Sequence, residues 1–157
     1  MLTGDAGANW LLGRLGNDKL IGMGGNDVLF GDTGNDSLTG GAGVDVLRGG
    51  AGVDAFRFTA ATDSGGPGRL RDRIMDFTQA DDDCIDVADI DANTTLSGNQ
   101  DFSFIGSAAF TDVGQVRAQV ISGNTFVSGN TDANLATSEF SIFLCGSITL
   151  TAGDFLL

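Results

Sequence analysis

From Gly4 to Arg57 a large apolar residue recurs every ninth position, as Leu11, Leu20, Leu29, Leu38, Leu47 and Phe56, each set between shorter polar stretches. Neither a helix, with its 3.6-residue period, nor a simple strand, with its period of two, explains a spacing of nine. A fixed longer period is the mark of a repeat architecture, in which each unit hides its apolar residue against its neighbours. Six units run without a gap: GDAGANWLL, GRLGNDKLI, GMGGNDVLF, GDTGNDSLT, GGAGVDVLR and GGAGVDAFR. The last three residues of each unit read as a short strand with its middle side chain turned inward.

The first position of every unit is Gly and so is the fourth; the sixth is Asp in five units and Asn9 in the first. Glycine tolerates backbone angles with φ above zero, so this stretch can wind as a tight open turn. One turn plus one strand makes half a coil, and two units complete one coil of a flattened helix. Odd units then stack on one side and even units on the other. A flexible glycine linker would not keep an apolar residue at every eighth position.

This stacking places Asn9, Asp27 and Asp45 in one column and Asp18, Asp36 and Asp54 in another. Carboxylates stacked at the strand spacing of roughly 4.8 Å repel one another unless a cation lies between them. Carboxylate and carbonyl oxygens are the hard ligands that Ca²⁺ takes in sixes to eights. The candidate ligands are these six side chains, the turn glycines Gly7, Gly16, Gly25, Gly34 and Gly43, and the first-position glycines Gly22, Gly31, Gly40 and Gly49. Asn17, Asn26 and Asn35 at the fifth position complete the set. Three units per column leave two gaps a side, so about four ions are expected, the weakest between Asn9 and Asp27 because Asn lacks the charge.

Composition sharpens this picture. The 157 residues include 25 Gly and carry a net charge of −13, and every acid except Glu139 is Asp, whose short arm suits turns and cation coordination. Such a balance offers no basic patch for nucleic acid. No apolar run of about 18 residues is present to span a membrane. No histidine occurs, which removes HExxH zinc chemistry and the histidine-dependent triads and leaves no expected catalytic residue. The consecutive Asp81, Asp82 and Asp83 read as a solvated turn rather than an acid–base pair. Cys84 and Cys145 each alternate with apolar neighbours, which suits free thiols at strand positions; a disulfide between them is the alternative.

The nonapeptide GGxGxDxUx is the signature of the RTX calcium-binding proteins, and the chain resembles that family. The resemblance implies an all-β fold: a right-handed parallel β-roll over residues 1–62, and a C-terminal antiparallel β cap over 63–157 forming one unit with it. Within the cap, 63–73 reads as a loop around Gly65, Gly66, Pro67 and Gly68. Strands are expected at 73–77, 84–87, 102–105, 115–121, 125–128 and 140–144, and a short helical turn at 151–154. The stretches DAFRFTAATDS, DRIMDFTQADDDCIDVADIDA, FSIFLCG and LTAGDFLL resemble the C-terminal domain of serralysin-type metalloproteases and, more loosely, the R-modules of secreted mannuronan epimerases. In the serralysin relatives an acidic residue followed by apolar ones belongs to a type I secretion signal, which maps here onto Asp154, Phe155, Leu156 and Leu157. The residues from Met1 to Trp10 lack the profile of a secretory signal peptide.

The expected protein is therefore a secreted, extracellular calcium-binding module. It folds on Ca²⁺, is exported by type I secretion machinery, and follows an upstream domain of a larger protein. The alternative is a module holding an anionic polysaccharide, for which Arg48, Arg57, Arg69, Arg71 and Arg73 are the candidate contacts. Asp72, Asp76 and Asp81 are candidates for a further calcium site where roll meets cap. The odd units turn Trp10, Leu12, Val28 and Phe30 outward, a face apolar enough to expect a cover.

Overall fold

The computed structural model describes residues 1–64 and 71–157. Residues 65–70, the centre of the loop expected over 63–73, lie outside the described residues, and Arg69 lies there with them. Among the described residues fourteen strands form two sheets. Within the repeat they are β1 (Leu2–Thr3), β2 (Trp10–Leu15), β3 (Lys19–Gly24), β4 (Val28–Thr33), β5 (Ser37–Ala42), β6 (Val46–Ala51) and β7 (Ala55–Arg57). Beyond it come β8 (Arg73–Ile74), β9 (Cys84–Asp86), β10 (Ser103–Phe104), β11 (Gln115–Ile121), β12 (Asn124–Asn130), β13 (Phe140–Leu144) and β14 (Phe155–Leu156).

Odd and even units separate as the period requires. One sheet has the order β1-β3-β5-β7-β9-β14, the other β10-β11-β12-β13-β8-β6-β4-β2. Each full repeat strand is longer than the expected three residues. It runs from the seventh position of one unit through the third of the next, and the pairing register skips the first-position glycine, where the strand bends.

The eighth-position side chains build the core as two ladders. Leu11, Leu29, Leu47, Ile74 and Leu144 are in register across one sheet; Leu2, Leu20, Leu38, Phe56, Ile85 and Phe155 are in register across the other. Leu20, Leu29, Leu38, Leu47, Phe56, Ile74 and Ile85 are fully buried. Both ladders run past the last nonapeptide. In the cap, antiparallel pairing is confined to β11–β12 and β12–β13, while β8, β9 and β14 continue the sheets of the roll in parallel. The cap thus grows out of the roll on a shared core. Cys84 and Cys145 are unpaired: Cys84 opens β9 in one sheet, and Cys145 follows β13 of the other, its N–H donating to the Ile74 carbonyl at 2.9 Å. The cap does not fold over the odd outer face, as Trp10 stays 71% exposed beside Phe30, with 6.2 Å between ring centroids.

Candidate metal centre

Four of the five sixth-position carboxylates, all but Asp18 at the open end, split their two oxygens between different tasks. Oδ1 accepts the backbone N–H of the sixth residue one coil earlier: Asn9 donates to Asp27 at 2.8 Å, Asp27 to Asp45 at 2.7 Å, Asp18 to Asp36 at 2.7 Å, and Asp36 to Asp54 at 2.9 Å. Oδ2 of Asp27, Asp36, Asp45 and Asp54 is buried without any hydrogen-bond partner. A repeated unpartnered anionic oxygen is costly to bury and calls for a counter-charge. Around it the backbone is packed tightly enough that only glycine fits. A Cβ on Gly31 would stand 2.2 Å from Asp36 Oδ2 and 2.5 Å from the carbonyl oxygen of Gly49; one on Gly22 would meet Asp27 Oδ2 and the Gly40 carbonyl at 2.2 and 2.5 Å.

Glycine therefore serves two purposes. At the first position it makes room for these oxygens, and its φ is not in the left-handed region; at the fourth, Gly16, Gly25, Gly34, Gly43 and Gly52 do have positive φ. The second position is also left-handed, and there Arg14, Met23 and Asp32 hold φ of 78°, 80° and 83° without being glycine.

Burial raises the pKa of three column carboxyls, Asp36, Asp45 and Asp54. Asp45 and Asp54 are each pushed up to about 6, chiefly by desolvation, with the neighbouring carboxylates adding to it; Asp36 is raised for the same first reason. Among the described residues no three His, Cys, Asp or Glu side chains converge on one point. Pairs of stacked carboxylates with the glycine carbonyls are thus the donor set the roll provides, all oxygen, which suits a hard divalent cation. This donor set fits calcium, and the unpartnered Oδ2 atoms are the observation that says so.

The other expected residues fall into place around the columns. Asn17 and Asn35 use their Oδ1 to accept the backbone N–H of Asn35 and Val53, and Asn26 does so for Val44, at 2.9 to 3.1 Å, forming ladders along the turns. Asn9 departs from its column: its Oδ1 accepts the Asp5 N–H at 2.7 Å and its Nδ2 donates to Asp5 Oδ1 at 3.2 Å. The first turn is thereby closed on itself, and the bonds from Gly7 and Asn9 lower the Asp5 pKa.

Of the three carboxylates expected at the roll–cap junction, the structure brings Asp72 into the odd column, where its Oδ1 accepts the Asp45 N–H at 2.8 Å. Asp76 instead takes the Gly49 and Gly50 N–H groups and pairs with Arg48, while Asp81 is exposed. Asp83, expected in a solvated turn, is buried. Its Oδ1 accepts the Asp54 N–H at 3.0 Å, making it the next member of the even column. The triplets Asp72-Arg73-Ile74 and Asp83-Cys84-Ile85 reproduce positions six to eight of the repeat without its glycines.

The C-terminal residues are part of the fold. Asp154 Oδ2 accepts the Thr151 N–H and hydroxyl and the Gln79 amide, closing the 3₁₀ turn Ala152–Asp154; Phe155 packs on Phe104, centroids 5.0 Å apart. The arginines divide. Arg57 lies on the even face and pairs with Asp86 and Asp89, whereas Arg48 and Arg73 share the outer face of the other sheet, Arg73 lying over Phe143. Arg71 lies over Phe126 on that face, and Arg117 joins them there, a residue that single-sequence reading had no pattern to flag.

The RTX calcium-binding nonapeptide repeat, in four copies, matches residues 3–38 and 21–56. Two solved modules of the Azotobacter vinelandii mannuronan C5-epimerase are similar to the chain over nearly its whole length. The AlgE6R3 subunit is 30% identical, with 97% of this chain and 80% of that one covered and a TM-score of 0.67. The AlgE6R2 subunit is 28% identical, covering 99% and 91%, with a TM-score of 0.65. No curated protein matches the chain. The repeat and these likenesses together assign the class, an all-β RTX roll. The chain belongs to the RTX calcium-binding nonapeptide-repeat family and is a calcium-binding module.

Proposed function

We propose that the chain is a calcium-triggered folding module that serves as the C-terminal export and folding domain of a larger secreted protein. The observation that carries the calcium trigger is the set of buried, unpartnered Oδ2 atoms in two columns. Asp27, Asp45, Asp36 and Asp54, with Asp18 and Asn9 at the open ends and the glycine carbonyls between, would hold about four ions. Bound calcium supplies the positive charge that lets these carboxylates stay buried and ionised. Without it, mutual repulsion and desolvation oppose coil stacking. Each site adds RT ln(1 + [L]/Kd) to stability, so at extracellular concentrations the folded roll is favoured, while at cytosolic ones the chain stays loose enough to thread an exporter. The export reading rests on the resemblance of Asp154 to Leu157 to a type I signal. No catalytic role is assigned to any residue.

Far-ultraviolet circular dichroism during a calcium titration, with magnesium as control, tests the trigger. A cooperative gain of β structure with calcium alone is expected; a spectrum already β-rich in chelator and unmoved by calcium would remove it.

A second reading is favoured by the charge layout. In a protein of net charge −13, Arg48, Arg71, Arg73 and Arg117 gather on one outer sheet face. Trp10, Val28, Val46, Arg73, Phe143, Phe126 and Gln119 form a single row across it. Guanidinium groups beside aromatic rings suit an anionic polysaccharide, and the similar modules belong to an enzyme named for mannuronan. Polymannuronate retention that vanishes in an Arg73→Ala, Arg117→Ala double variant supports this reading; retention of neither protein rules it out.

A further inference from the structure

The two carboxylate columns end differently in the cap. In the even column the last member, Asp83, is fully engaged: Oδ1 accepts from Asp54 N–H at 3.0 Å and Oδ2 from Thr78 N–H at 2.9 Å. Hydrogen bonds thus satisfy both oxygens of Asp83 itself, while Oδ2 of Asp54 beneath it stays unpartnered. In the odd column the last member, Asp72, is completely buried, and only Oδ1 has a partner, the Asp45 N–H at 2.8 Å. Its Oδ2 is buried and unpartnered, as is Oδ2 of Asp45 beneath it.

The surroundings of Asp72 make this end a built pocket rather than a stray acid. Its own N–H donates to Ser64 Oγ at 3.2 Å, and Ser64 donates onward to the Ser141 carbonyl at 2.6 Å, so the chain beyond Asp72 is pinned. Asp63, also buried, takes the Thr59 N–H, the Thr59 hydroxyl and the Ala60 N–H on its Oδ2, and its charge faces both Asp45 and Asp72. No basic side chain forms an ion pair with Asp45, Asp63 or Asp72 among the described residues. Two unpartnered carboxylate oxygens in successive coils of one column form an all-oxygen pair that a hydrogen bond does not complete and a hard divalent cation does.

We infer that the roll holds one additional calcium ion at the seam with the cap, between Asp45 and Asp72, and none at the matching end of the even column, where Asp83 has no free oxygen. The inference rests on the calcium reading of the roll. The seam ion ties the last repeat to β8, so the odd side of the cap docks through metal and the even side through the Asp54 N–H to Asp83 Oδ1 bond.

Isothermal titration calorimetry with calcium on the full chain compares wild type, Asp72→Asn and Asp83→Asn. Asn keeps the oxygen that accepts from the preceding coil in both variants. Asp72→Asn is expected to bind one ion fewer than wild type; Asp83→Asn is expected to bind the same number and to lose thermal stability only. Equal stoichiometry for Asp72→Asn and wild type would overturn the seam site alone. A wild-type chain that takes up no calcium would overturn the calcium reading of the roll and the seam site with it. Should Asp72→Asn fail to fold, the wild-type ¹⁵N spectrum decides: the Asp45 and Asp72 amides must move during the calcium titration, and if they stay fixed while the repeat amides move, the site does not exist.

Discussion

Met23 and Gly41 occupy the second position of units three and five, pair in register between β3 and β5, and share a left-handed backbone, with φ of 80° and 92°. Only one of them has the residue this conformation favours. A non-glycine residue there costs roughly 1–2 kcal/mol, and glycine gives part of that back through unfolded-chain entropy. Met23→Gly and Asp32→Gly are therefore each expected to stabilise the calcium-loaded protein by about 0.5–1 kcal/mol. The reverse change, Gly41→Met, places a Cβ 2.2 Å from the Met23 carbonyl oxygen and should cost about 2 kcal/mol or more. Denaturant unfolding in saturating calcium measures all three, and a destabilised Asp32→Gly would contradict the account.

At the first repeat position the demand is for space. Gly31→Ala drives a methyl group into Asp36 Oδ2 and the Gly49 carbonyl, the oxygens assigned to a cation. Calcium titration should show weakened binding, with the midpoint shifted at least tenfold, since displacing one ligand costs more than about 1.4 kcal/mol. An unchanged midpoint would mean these oxygens do not face the ion.

Acid should substitute for metal. With chelator present, Asp45 and Asp54 titrate near 6 and Asp72 near 8, all above the unfolded value of 3.8 because of burial. Folding then takes up protons, so this contribution is fully present below about pH 4 and is lost as pH rises through 6 and then 8. The calcium-free chain is expected to melt higher at pH 5 than at pH 8.5, and saturating calcium should remove that dependence. A melting temperature that climbs with pH in chelator would refute the burial argument.

The core ladder grades stability along the roll. Leu47 is fully buried between Leu29 and Ile74, whereas Leu11 at the open end is only half-buried. Leu47→Ala should cost about 2–5 kcal/mol and Leu11→Ala less than about 2. Equal losses would mean the first coil is covered in solution.

The roll was legible from the chain because two separate demands fall on one nine-residue period: Leu20, Leu29 and Leu38 must point inward, and Asp18, Asp27 and Asp36 must stack. Asp72 and Asp83 were harder to place because their coils are longer. They lie 27 and 29 residues from the partners they cap, against 18 within the repeat, and neither is preceded by glycine at the repeat's first and fourth positions. Asp83 was further masked by Asp81 and Asp82, which share its charge but not its burial. The outer row of arginines and rings was invisible for another reason. It joins Arg73, Phe143 and Phe126 from three strands whose order no local pattern encodes. The exposure of Trp10 likewise depends on where the cap goes: it extends the sheet edge and leaves the sheet face open.

Every rung inside the repeat joins residues 18 apart, but the last rungs do not: Leu144 lies on Ile74 and Phe155 on Ile85, each across 70 residues. Closing a longer loop is entropically dearer and slower than extending a stack of neighbours. The molecule thus has a built-in order of events, a fast zipper through the coils followed by a late latch. Until that latch closes, β8 and β9 stand as open sheet edges, and the time spent in that state sets how long a newly folded copy can recruit a strand from another chain.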